Sequence, residues 1–384
     1  MNPGFGCLHP YPFEKLAALK AGTEPPAAMP HIALSIGEPK HPTPAFISDE
    51  VMTHLHQLSV YPATRGLKTL RQCIAAWLCG RFGLRAESID PERQVLPLNG
   101  TREGLFAFAQ AVIEPAKHSL VLMPNPFYQI YEGAALLAGA EPYYLNCTEH
   151  NGLLPDFDAV DEHTWQRCRL LYLCSPGNPT GAVIDVQTLQ RLITLAHEHD
   201  FIIAADECYS EIYFDEEQPP AGLLQAAALM GVHDYRNCVV FHSLSKRSNA
   251  PGLRSGFIAG DSAVIETFFR YRTYHGCAMP LQHQAASIRA WSDEQHVVEN
   301  RRLYRQKFDA VLAVLDGVLE VQRPDAGFYL WAKTPPPYDD QGFARELFAR
   351  RNLTVLPGSY LSRTTAAGNP GANRVRMALV APLE

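Results

Sequence analysis

Excess positive charge is missing from this 384-residue chain: 33 Lys and Arg stand against 40 Asp and Glu, a formal net charge of −7. That balance excludes binding modes that neutralise many phosphates, so neither nucleic acid nor an anionic membrane surface is an expected partner. No apolar run approaches the roughly 18 residues of a membrane helix. No basic stretch precedes an apolar core near the N-terminus, so no secretory leader is expected. The nine cysteines are odd in number and lack Cys-x-x-Cys spacing, which points to reduced thiols in a cytoplasmic protein rather than a disulfide framework. There is no P-loop, no Gly-x-Gly-x-x-Gly after a first strand and no internal repeat, which removes the common nucleotide-binding and solenoid readings. His197 and His199 end an amphipathic helix at about residues 185–199 and read as a solvated helix end, so no metal site is expected.

With 47% hydrophobic and 19% charged residues, the composition is that of a globular enzyme. Helix and strand patterns alternate from about residue 66 to 265, which predicts an α/β fold with a mostly parallel sheet between helices. Helices are expected at 67–83, 103–114 and 128–138, and one long helical stretch at 280–316. A large domain should span residues 46–290, and a smaller α/β domain should combine 1–45 with 291–384, with strands near 328–332 and 374–379.

The most informative stretch is Ser243-Leu-Ser-Lys246, with Arg254 eight residues on. It follows the strand-like run 237–241, so it falls at a strand's carboxyl end, where open α/β sheets place ligands. A lysine there can form a Schiff base with an aldehyde cofactor, while hydroxyls and an arginine hold a phosphate. Alone, the motif is common and usually marks an ordinary loop lysine. The apolar run 201–205 ends in Asp206, with Tyr209 three residues later. A carboxylate at the tip of a buried strand needs a cationic partner, and a protonated pyridine nitrogen would serve; a helix cap is the plain alternative. After the run 170–174 comes Ser175-Pro-Gly-Asn178-Pro-Thr-Gly, a stiff turn whose Asn178 can bond a ring oxygen and a carboxylate. Gly100, Thr101 and Arg102 follow another strand-like run and open a helix, a ready phosphate site. Tyr128 can stack on a planar ring or pack in the core.

Together these segments resemble the class I, fold-type-I aminotransferases that depend on pyridoxal 5′-phosphate, from residues 36–39 to 375–377. The resemblance implies that Lys246 is the Schiff-base lysine and that Asp206 pairs with the pyridine nitrogen. It implies Tyr209 and Asn178 on the ring's phenolic oxygen and Tyr128 as the stacking aromatic. Gly100, Thr101, Arg102, Ser243 and Arg254 would form the phosphate cradle. Tyr61 would reach the phosphate of the neighbouring subunit, making a homodimer with shared sites. Gly37 would lie in a substrate-contacting loop, and Arg376 would clamp the substrate α-carboxylate.

The segments at 9–16, 124–133, 246–252 and 271–279 are similar to the branch that acts as succinyldiaminopimelate aminotransferase in bacterial lysine synthesis. That implies glutamate as donor and N-succinyl-2-amino-6-oxopimelate as acceptor. The distal end would be read by loops carrying Gly37, residues 271–279 and Phe328-Tyr329. The chain stops at Glu384, eight residues past Arg376, short of the final helix that the family usually carries. Two alternatives stand beside this reading. One is the same fold acting on aspartate, alanine or aromatic amino acids. The other is a cofactor-sensing regulator, for which the stretch before Gly37 is too short to hold a DNA-binding module.

Overall fold

The structure, a computed structural model, describes residues 3–383. At its centre is a seven-stranded sheet in the order Val95–Leu98, Gly256–Gly260, Cys238–Ser243, Ile202–Asp206, Cys168–Cys174, Leu120–Asn125, Glu141–Asn146. Neighbours are parallel except at Gly256–Gly260, which runs antiparallel to both its partners. The strand sequences account for this. Side chains alternate between faces along a strand, and here both faces are apolar. Leu171, Ile203 and Val240 join one core, while Leu170, Tyr172, Ala204 and Val239 join the other.

Helices cover both faces by the same logic. Val186–His199 buries Leu189, Leu192, Ile193 and Ala196, the spacing of one helical stripe. Asp185 caps its start, accepting from the Thr188 N–H at 2.7 Å. Asp200 ends it in the left-handed region at φ 54°. Leu192→Ala in this fully buried stripe would cost about 2–5 kcal/mol.

The expected long helix at 280–316 is two helices, Leu281–Trp291 and Gln295–Leu315. At the break, fully buried Arg247 finds its acceptors. It donates to the Ala290 carbonyl at 2.7 Å and the Asp293 carbonyl at 3.1 Å, and pairs with the Glu294 carboxylate.

A second, antiparallel sheet has the order Leu356–Pro357, Arg374–Ala378, Tyr329–Lys333. It shares a core with Phe308 of Gln295–Leu315. Ile32–Ala33 pairs in parallel with Leu353–Thr354, bringing the N-terminal segment to the C-terminal part. The segment that follows is fastened to the main sheet. Asn125 bonds the main chain of Arg363 twice, at 2.8 and 2.9 Å, and Arg363 forms a bidentate pair with buried Glu132 at 2.7 and 2.6 Å. These joints set the second sheet over the carboxyl ends of the first.

Candidate active site

Five chain segments meet where the parallel strands end. Asp206 is the last residue of Ile202–Asp206 and Ser243 the last of Cys238–Ser243. Asn178 follows Cys168–Cys174, Tyr128 follows Leu120–Asn125, and Gly100 follows Val95–Leu98. A cavity of about 530 Å³ opens between them. Lys246, Asp206, Tyr209, Asn178 and Tyr128 line it, as do Thr101, Arg102, Ser243 and Arg254. The small-sheet side contributes Arg376, and the N-terminal loop contributes Gly37.

The Lys246 ammonium is largely enclosed. Its Nζ donates to the Gly37 carbonyl at 2.6 Å and lies 5.5 Å from the Phe328 ring centre. Burial disfavours the charged form and pulls its pKa down to about 8. Asp206 is buried, and burial pushes its carboxyl pKa up. It accepts from the Tyr131 phenol at 2.7 Å and from the Cys208 main-chain N–H at 3.3 Å, both uncharged donors. A carboxylate so placed still favours a cation on its open side.

At the other end of the cavity, Ser243 Oγ caps the short helix Leu244–Arg247 by accepting from the Ser245 N–H at 3.1 Å. Gly100 lies just behind the cavity wall in the left-handed region, at φ 80°. A Cβ there would stand 2.4 Å from an Arg254 guanidinium nitrogen, so only glycine lets that arginine close on the start of helix Thr101–Val112. A helix N-terminus, two hydroxyls and a guanidinium make a donor set that suits a phosphate. The amine, carboxylate and phosphate cradle therefore fit pyridoxal 5′-phosphate in chemistry and in order.

Arg376 Nη1 donates to Asn178 Oδ1 at 2.9 Å, and Nη2 donates to the Ser35 carbonyl at 2.7 Å. Its Nε is buried and has no hydrogen-bond partner. Arg376 as a residue lines the cavity, and a guanidinium there suits an anionic ligand.

Gly100, Phe328, Tyr61 and the 271–279 segment were expected at the site and do not line this cavity. Tyr61 is 100% exposed, and Tyr274 of the 271–279 segment is 90% exposed. Tyr329, expected on the substrate side, lines the cavity, bonds the Tyr209 hydroxyl at 3.0 Å, and has the Arg376 guanidinium 4.5 Å from its ring centre. The structure also brings in residues that spacing did not indicate. Tyr11 accepts from Arg102 at 3.1 Å, and Thr101 Oγ1 meets Cys208 Sγ at 3.0 Å. Among the described residues, no helix is long and apolar enough to cross a membrane, and every cysteine is free.

The sequence profile described as aminotransferase class I and II matches residues 30–382. An LL-diaminopimelate aminotransferase of Syntrophobacter fumaroxidans is 33% identical over 382 residues, covering 98% of this chain and 94% of that protein. An aminotransferase of known structure from Neisseria meningitidis is 48% identical with a TM-score of 0.95, covering 100% of this chain and 96% of that one. A probable N-succinyldiaminopimelate aminotransferase from Thermus thermophilus is 28% identical with a TM-score of 0.85, covering 97% and 96% of the two chains.

Proposed function

The chain belongs to the class I and II aminotransferase family, and from that premise we propose that it moves an amino group from glutamate to N-succinyl-2-amino-6-oxopimelate, with pyridoxal 5′-phosphate as cofactor. The observation that carries the chemistry is the meeting of an enclosed amine, a buried carboxylate and a buried guanidinium in one cavity. When bound, pyridoxal 5′-phosphate supplies an aldehyde for the lysine amine and, through its protonated ring, an electron sink for the substrate α-carbon. Lys246 would hold the cofactor's aldehyde carbon and, as a free neutral amine, would take a proton from the substrate α-carbon. A pKa near 8 keeps a usable share of the amine neutral at working pH. Asp206 keeps the ring nitrogen protonated. Tyr209 and Asn178 hold the ring's phenolic oxygen, and Tyr128 stacks on its face. Gly100, Thr101, Arg102, Ser243 and Arg254 hold the phosphate. Arg376 binds the α-carboxylate of donor and acceptor in turn.

In this reading the working unit is a homodimer in the cytoplasm. Tyr61 reaches the partner's phosphate rather than its own, which accounts for its exposure together with that of Leu58 and Val60 beside it. Gly37 and Tyr329 border the substrate side of the cavity, next to Arg376.

The succinylated acceptor is supported by the four segments similar to that branch and by the name of the Thermus thermophilus neighbour. A second reading, the unsuccinylated LL-diaminopimelate, is favoured by the names of the relatives. An assay with 2-oxoglutarate and either N-succinyl-LL-diaminopimelate or LL-diaminopimelate, following glutamate release, separates the two. Faster turnover of the unsuccinylated compound would overturn the succinyl assignment and leave the aminotransferase standing.

A further inference from the structure

We propose that Tyr131 is a positioning residue for the reaction: its phenol holds the Asp206 carboxylate in the orientation and ionisation from which Asp206 keeps a ring-nitrogen proton in place. This rests on the cofactor reading above.

Tyr131 is fully buried and does not line the cavity, so it acts on a ligand only through lining residues it touches: Asp206 by a hydrogen bond, with Tyr128 and Cys174 beside it. Its hydroxyl donates to Asp206 Oδ2 at 2.7 Å, a shorter bond than the 3.3 Å one from the Cys208 main-chain N–H to Oδ1. The ring direction is fixed by its neighbours. Tyr131 stacks on Tyr172 at 4.7 Å between centroids, and Tyr128 meets it edge-on at 5.8 Å. Tyr172 is itself anchored by donating to the Leu105 carbonyl at 2.7 Å. The phenol therefore meets one carboxylate oxygen from a residue outside the cavity lining.

Burial favours the neutral carboxylic acid at Asp206. A short O–H···O⁻ bond is charge-assisted and opposes that trend. Without it, the proton shared between Asp206 and a ring nitrogen moves toward Asp206. The ring then loses its cationic character, and the electron sink weakens. Binding of the α-carboxylate at Arg376 is untouched, since that guanidinium pairs with Asn178 and Ser35.

The test compares wild type, Tyr131→Phe and Tyr172→Phe. Each substitution removes one oxygen and keeps the stacked ring. The readout is the affinity of the apo-protein for pyridoxal 5′-phosphate relative to its 1-deaza analogue, in which a C–H replaces the ring nitrogen. Wild type should prefer the natural cofactor, and Tyr131→Phe should cut that preference about tenfold. Tyr172→Phe should leave it unchanged. In the same Tyr131→Phe holoenzyme, kcat should fall while KM for glutamate stays within about twofold. An undiminished preference in Tyr131→Phe, or an equal loss in Tyr172→Phe, overturns the inference. If wild type shows no preference at all, the reading of Asp206 fails and the inference falls with it.

Discussion

The Lys246 ammonium and the Gly37 carbonyl are joined by a 2.6 Å hydrogen bond, so the amine at the centre of the cavity is tied directly to the N-terminal loop. The same loop gives its Ser35 carbonyl to Arg376. Both charged groups that face the substrate side are thus held by two carbonyls two residues apart, and the loop can keep that path only while its Cα passes close to the Tyr329 hydroxyl.

Gly37→Ala should therefore be damaging without any change of charge. A Cβ at this position would lie 2.0 Å from Tyr329 Oη and 3.0 Å from Phe328. The loop or Tyr329 must move, at a cost of about 1–3 kcal/mol, and Tyr329 holds Tyr209 at 3.0 Å. Steady-state kinetics should show a large loss in kcat/KM with the fold retained. Kinetics within twofold of wild type would show that the loop yields freely.

Lys246→Ala should abolish turnover and leave the protein without the yellow colour of a bound imine. In wild type, capture of pyridoxal 5′-phosphate by the apo-protein should follow the neutral amine. The folded pKa is lowered to about 8 by burial, so the capture rate should rise with pH through about 8 and then level off. Stopped-flow absorbance checks this, and a rate still rising toward pH 10 would indicate a solvated lysine.

Arg376→Lys should weaken donor and acceptor alike. Arg376 bonds Asn178 and Ser35 with two nitrogens of one planar fork, an arrangement that an ammonium cannot copy. Losing a charge-assisted bond costs about 1.5–3 kcal/mol, so kcat/KM should drop by one to two orders of magnitude for both substrates. A drop confined to one substrate would place the shared carboxylate elsewhere.

Tyr61 should act across a dimer interface. Inactive Lys246→Ala and impaired Tyr61→Phe subunits, once exchanged, should yield a mixed dimer with one sound site. Verified exchange with no recovery would put Tyr61 to work within its own chain.

Much of this was legible in the sequence because strand ends write it locally. The apolar runs ending at Asp206 and near Ser243 mark both strands and site, and the stiff turn carrying Asn178 marks a third. What escaped was non-local. Tyr131 is 75 residues from Asp206, and a buried aromatic three positions from Tyr128 reads as core until the fold turns its hydroxyl toward the carboxylate. Ser35 takes part through its main chain, which no side-chain pattern reports. The break between Leu281–Trp291 and Gln295–Leu315 was hidden because its partner is non-local: Arg247, just past a distant strand end, bonds the carbonyl and carboxylate there. The 271–279 segment resembles the succinyldiaminopimelate branch yet lies outside this chain's cavity.

The central claim is tested most directly by kcat/KM for N-succinyl-LL-diaminopimelate, with 2-oxoglutarate as acceptor, beside LL-diaminopimelate, aspartate, alanine and phenylalanine. The account predicts that the succinylated compound ranks first and that Lys246→Ala turns over none of them. A higher value for any other donor would contradict the substrate assignment, and multiple turnover by Lys246→Ala would contradict the chemistry itself.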